Sequence, residues 1–158
     1  MQQSRLQEIL SAPDKVDWSD LAQEAHALRL QRFGLKTSFV ETHNINFTNV
    51  CTLGCAFCAF ACAPSSSDAV RFSHEQMIQK LMQVPGLTEV CLQGGIDPHY
   101  GYEDYLNLVR AIRKYFPQIH IHAFSPQEVH HLTEISENSL EQVLLDLKQA
   151  GVNSMPGT

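Results

Sequence analysis

The feature that most constrains the fold of this 158-residue chain is a recurring order: a short apolar run, a loop marked by Cys, Gly or Pro, then a capped amphipathic helix. Phe39–Phe47 is the first run, and its last half, Asn44-Ile45-Asn46-Phe47, alternates polar with apolar as a strand does. Thr88–Leu92 reads as a short buried strand with Cys91 packed inside it, and Ile119–Phe124 alternates again as a third strand. Helices separate them. Ser73 with Gln76 forms a capping box before an apolar face of Met77, Ile78, Leu81 and Met82. A second helix, about Tyr102–Tyr115, carries Tyr105, Leu106, Leu108, Val109 and Ile112. Ser139 starts a third, with Leu140, Val143, Leu144 and Leu147 on its buried side and Gly151 as terminator. Val152-Asn153-Ser154-Met155 begins a fourth strand. Strands joined by helices pair in parallel, and in such α/β folds the functional groups gather at the C-terminal ends of the strands. The expected fold is therefore α/β, the N-terminal part of a (β/α) barrel.

Upstream, Leu6, Ile9 and Leu10 predict a weak helix stopped at Ala12-Pro13. Asp17 or Ser19 caps a longer one carrying Leu21, Ala25 and Leu28 and closed by Gly34. Residues 1–38 thus read as a helical layer over one end of the domain and 39–158 as the barrel core, which stops within or just after its fourth strand. Trp18 and His26 are packing or surface residues. With 44% hydrophobic residues the chain can build a core, and a net charge of −6 without a Lys/Arg cluster argues against nucleic acid or an anionic membrane as partner. No apolar run reaches the length of a membrane span, and a cytoplasmic location is expected. Of five cysteines, four are crowded into Cys51–Cys62, which suits a reducing compartment and a metal better than a disulfide framework.

The first strand delivers the chain into Cys51-Thr52-Leu53-Gly54-Cys55-Ala56-Phe57-Cys58. Three thiols so spaced can meet at one point if the loop wraps an object a few ångströms across, and an iron–sulfur cluster is such an object. Three ligands instead of four leave one metal position free. A zinc knuckle, a disulfide pair or reactive thiols are the blander readings. Cys62 repeats the spacing from Cys58, but the aromatic stands before Cys58 and not before Cys62. Ala63–Asp68 beyond it is a small, polar surface loop. At the end of the second strand come Gln93-Gly94-Gly95-Ile96-Asp97-Pro98, where two glycines let the backbone approach a ligand closely. Asp97 and His99 are candidates for a substrate, Asp97 also for turn formation. His120 and His122 share a face of the third strand, read as polar residues lining a barrel interior. Ser125 and Glu128 can point at the site or cap the next helix.

The C-x3-C-x-aromatic-C pattern resembles that of the radical S-adenosyl-L-methionine (SAM) superfamily. The resemblance implies that Cys51, Cys55 and Cys58 hold a [4Fe-4S] cluster whose fourth iron binds SAM, with Phe57 beside the adenine. The backbone at Gln93-Gly94-Gly95 would receive the methionine amino group, with Ser125 and Glu128 facing the same site. Together with Asn44–Cys51, Cys55–Phe60, Leu92–Pro98, Ile119–Pro126 and Ser154–Thr158, the pattern is similar to the CofH family of deazaflavin (FO) synthase subunits. This implies a transferase that moves the 4-hydroxybenzyl fragment of L-tyrosine onto 5-amino-6-(D-ribitylamino)uracil. It would use a low-potential electron donor and a partner subunit that closes the deazaflavin ring. Two other readings stay open: a menaquinone-pathway relative, either aminofutalosine synthase or futalosine cyclase, and a noncatalytic cluster-binding fragment. The fragment as it stands is expected to carry the cluster without turning over, because the catalytic residues that touch substrate are unknown and would come from later strands.

Overall fold

The computed structural model describes residues 3–157, so Thr158, the last residue of the Ser154–Thr158 segment, lies outside them. The chain forms two compact units that divide after Phe39. The first holds α1 (Gln3–Ser11), a 3-10 turn at Pro13–Lys15 and α2 (Trp18–Phe33). Asp17 caps α2 by accepting from the amides of Ser19 and Asp20, and Gly34, at φ 61°, ends it. Arg29 donates to the carbonyls of Gly34 and Lys36, tying the last turns to the segment that follows.

The second unit is built on three parallel strands, β1 (Thr42–Asn46), β2 (Glu89–Gln93) and β3 (His120–Ala123), in the order β1-β2-β3. Asn44 pairs with Cys91 and Cys91 with His122, which fixes the register across all three. The helices are α3 (His74–Met82), α4 (Tyr102–Tyr115), α5 (Pro126–Ser136) and α6 (Leu140–Ala150). Ile45, Val90, Leu92, Ile121 and Ala123 point from one face of the sheet into a core completed by Met77, Leu81, Tyr105, Leu108, Ile112, Leu132 and Leu147. The strand–helix order of the sequence thus becomes a parallel sheet covered by helices.

Caps fall where local chemistry puts them. Ser73, Ser125 and Ser139 each accept from the amide three residues on. The start of a fourth strand is present as a single parallel bridge between His122 and Ser154. Arg113 on α4 holds that segment in place by donating to the carbonyls of Ile119 and Gly151 and to Asn153 Oδ1, while Asn153 Oδ1 also accepts the amide of Ile121.

Four expectations need correction. The first strand begins at Thr42 and not at Phe39, since Phe39 and Val40 are exposed and lie before the β1–β2 pairing. Met82 is exposed because α3 presents only Met77, Ile78 and Leu81 to the core. On α6 the buried positions are Val143, Leu147 and Ala150, and Leu140 and Leu144 face outward. Cys91 does not pack in the core: β2 buries only Val90 and Leu92, so Cys91 lies on the opposite face, half-buried, with its thiol pKa raised by that burial.

Candidate functional site

The loop after β1 is laid along the C-terminal end of β2 by hydrogen bonds that the spacing of the cysteines does not reveal. The Phe47 amide donates to the Gln93 carbonyl at 3.1 Å, the Gly95 amide to the Thr48 carbonyl at 3.1 Å and the Thr52 amide to the Ile96 carbonyl at 3.0 Å. Asn49 ties in the returning chain: its Oδ1 accepts the Val70 amide at 2.7 Å and its Nδ2 donates to the Asp68 carbonyl at 2.8 Å. Cys62 closes the loop through its backbone, donating to the Asn49 carbonyl and accepting the Cys51 amide. Its thiol meets Asn49 Oδ1 at 3.3 Å. Between the first two cysteines the chain turns at Gly54, whose φ of 63° favours glycine.

The result is one cavity of about 410 Å³ at the C-terminal ends of the strands. Cys51, Cys55, Cys58, Phe57, Gln93, Gly94, Gly95, Ser125 and Glu128 all line it, whereas Asp97 and His99, the candidates for a substrate, do not. Cys62 does not line it. Cys51 is half-buried and its sulfur accepts the Ile96 amide at 3.4 Å, whereas Cys55 and Cys58 are exposed. Phe57 is 92% exposed and free to lie against a ligand. Asn46 and Gln127 also line the cavity. Neither stood out in the sequence, where Asn46 reads as a strand residue and Gln127 stands between Ser125 and Glu128.

Glu128 is 2% exposed, yet its carboxylate is fully used. Oε1 accepts the Gly94 amide at 2.9 Å, and Oε2 accepts the amide and hydroxyl of Ser125 at 2.8 and 2.7 Å. Burial raises its pKa, and the bonds from Ser125 and Gly94 pull it partly back. Glu128 is thus both cap and tether: it starts α5 and fastens it to the glycine turn.

The two glycines serve close packing within the protein, which differs from the expectation that their bareness admits a ligand. A Cβ on Gly94 would stand 2.5 Å from the Phe47 ring, and one on Gly95 would stand 2.1 Å from the Val50 carbonyl and 2.8 Å from Cys51 Cβ. Gly95 is what lets the cysteine loop seat against β2.

Beneath the site lies an ion pair that no motif announced. Asp97, fully buried, receives Arg71 at 2.6 and 2.9 Å, the Thr48 hydroxyl at 2.9 Å and the His99 amide at 3.0 Å. Desolvation pushes its pKa up, but the bonds from Arg71, His99 and Thr48 outweigh it and hold the carboxyl below its ordinary value. Asp97 is therefore a turn former and a brace, and its oxygens face protein donors.

Cysteines and a glycine turn thus meet at the C-terminal strand ends of a parallel α/β sheet, the end where such folds gather their functional groups. Residues 45–157 match the family model of the Radical SAM superfamily, and the chain belongs to that superfamily. A 5-amino-6-(D-ribitylamino)uracil–L-tyrosine 4-hydroxyphenyl transferase of Methanopyrus kandleri is 42% identical over 146 residues, 91% of this chain and 40% of its own length. A protein of the same name from Thermosynechococcus vestitus is 43% identical over 138 residues, 83% of this chain and 35% of its own. The FO synthase of Mycobacterium leprae is 43% identical over 136 residues, 85% of this chain and 16% of its own. The chain thus spans 40% or less of these relatives. The crystal structure of methylornithine synthase (PylB) superposes with a TM-score of 0.53 at 21% identity, covering 87% of this chain and 49% of that one, which is a likeness of fold. Among the described residues, no helix is long and apolar enough to cross a membrane.

Proposed function

We propose that this chain supplies the cluster- and SAM-binding portion of a transferase that joins the 4-hydroxybenzyl group of L-tyrosine to 5-amino-6-(D-ribitylamino)uracil. The observation that carries this reading is the meeting of Cys51, Cys55 and Cys58 with the Gly94-Gly95 turn in one cavity. The choice of substrates follows the names of relatives that align over 83 to 91% of the chain.

The donor set fits a [4Fe-4S] cluster. Three thiols border the cavity and the fourth nearby cysteine is engaged with Asn49, so three ligands are offered and one iron would stay open. When bound, the cluster and SAM supply one-electron cleavage and hydrogen abstraction.

The chain's own residues place and shield. The amides of Gly94 and Gly95 are committed to Glu128 and Thr48, so what this turn presents to a ligand is carbonyl oxygen, the right partner for an ammonium group such as that of SAM. Phe57 offers an aromatic face for the adenine. Ser125 and Glu128 act through position, holding α5 against the glycine turn.

The test has two stages. Anaerobically reconstituted protein should lose iron and broad visible absorption in Cys51→Ala, Cys55→Ala and Cys58→Ala and keep both in Cys62→Ala and Cys91→Ala. Full loading of Cys55→Ala would overturn the ligand set. The protein, expressed with whatever its gene encodes beyond residue 158, should then form the coupled product from L-tyrosine and the ribitylaminouracil, given SAM and a low-potential donor. Product from a futalosine-type substrate instead would reassign it to menaquinone synthesis, and neither product would favour a cluster-binding role without turnover.

A further inference from the structure

The face of the sheet turned away from the helices is polar and ordered in rows. Asn46 and Gln93 pair at the top and line the cysteine cavity. One row below, about 6.6 Å along the strands, Asn44, Cys91, His122 and Ser154 stand side by side across four chain segments. Ser154 Oγ lies 2.7 Å from His122 Nδ1 and 2.6 Å from His120 Nε2. A hydroxyl has one hydrogen, so at least one of these ring nitrogens donates to it, and the three side chains hold one another in a fixed arrangement.

The charge on this face selects among ligands. Across the three strands and Ser154 it carries no Lys or Arg; its one carboxylate, Glu89, lies 3.9 Å from His120. A carboxylate ligand would find no fixed cation there. A neutral chain with several hydroxyls would find amide, imidazole and hydroxyl groups that both donate and accept, at intervals along two rows.

Resting on the function proposed above, we propose that this face binds the polyhydroxylated ribityl chain of the aminouracil substrate, with His122 and Ser154 as the residues that read its hydroxyls. The chain descends from the cysteine cavity past Asn46 and Gln93, leaving the ring nearer the cavity where the chemistry starts.

The test is equilibrium binding by titration calorimetry, under anaerobic conditions, of 5-amino-6-(D-ribitylamino)uracil and of 5-amino-6-(propylamino)uracil, which lacks the hydroxyls. The unaltered protein should prefer the ribityl compound. Ser154→Ala and His122→Phe should each cut that preference about tenfold (about 1.4 kcal/mol), and His122→Gln, which keeps hydrogen-bonding groups, should restore most of it. Affinity for L-tyrosine should not move. No preference in the unaltered protein, preference retained in both variants, or a matching loss of tyrosine affinity would overturn the assignment. Product formation is measured alongside: a binding preference that behaves as stated without coupled product would sink the functional reading and leave this site standing.

Discussion

The two faces of the three-stranded sheet do different work with the same backbone. On one, Ile45, Val90, Leu92, Ile121 and Ala123 are buried against the helices. On the other, Asn44, Cys91 and His122 are half-buried or exposed and polar. The alternation continues past the end of β2, where Gly94 extends the apolar face under the Phe47 ring and Gly95 extends the polar face to the cysteine loop. The pleat lets stability and chemistry be altered separately, one residue apart.

Removing core volume tests that separation most severely. Leu92→Ala should cost about 2–5 kcal/mol by denaturant unfolding, because Leu92 is fully buried and its neighbours collapse only in part. If it cost as little as a polar-face change, the division between the faces would be wrong.

Next is Arg71→Ala, which leaves the buried Asp97 carboxylate without its cation. A loss of stability is expected that is smaller than for a fully buried pair, because the Arg71 side chain is 32% exposed. The pH dependence has a definite sign. A carboxyl whose folded pKa is lowered gives stability that is complete above its unfolded value, about 3.9. That contribution is lost as pH falls from there through the lower folded value. The unaltered protein should show this acid-side loss and Asp97→Asn should lack it; identical acid profiles would remove Asp97 from the account.

Gly95→Ala should cost about 1–3 kcal/mol from overpacking. Its sharper effect falls on the site, since the added methyl would push Val50 and Cys51. Reduced iron content per chain is expected, and weakened SAM binding with full iron would restore the simpler idea that this glycine only makes room for a ligand. Smallest of all, Asn44→Ala on the polar face should change stability within about ±0.5 kcal/mol. A larger loss would mean that face is packed against something.

Much of this was legible in the sequence because it depends on neighbours along the chain. Helix starts at Ser73 and Ser139 follow from a side-chain oxygen reaching an amide three residues away, and the expected span Tyr102–Tyr115 is that of α4, whereas Ser125 was left open between capping α5 and facing the site. The cysteines, the glycine turn and Ser125–Glu128 could be placed around one site because parallel strands bring their C-terminal ends together. Which face of β2 would be buried was not legible. A short run such as Thr88–Leu92 looks the same whether one or both faces are covered, and so Cys91 was misplaced.

The order of the strands, the caps at Ser73 and Ser139 and the thiol spacing were thus set by the sequence alone, since each rests on interactions spanning only a few residues. Tertiary structure decided the rest: that Arg71 meets Asp97 across 26 residues, that Glu128 holds Gly94 across 34, and that Ser154 joins His120 and His122. These contacts are charge-assisted or polar and depend on direction and distance, which the register of the strands sets and no local pattern encodes.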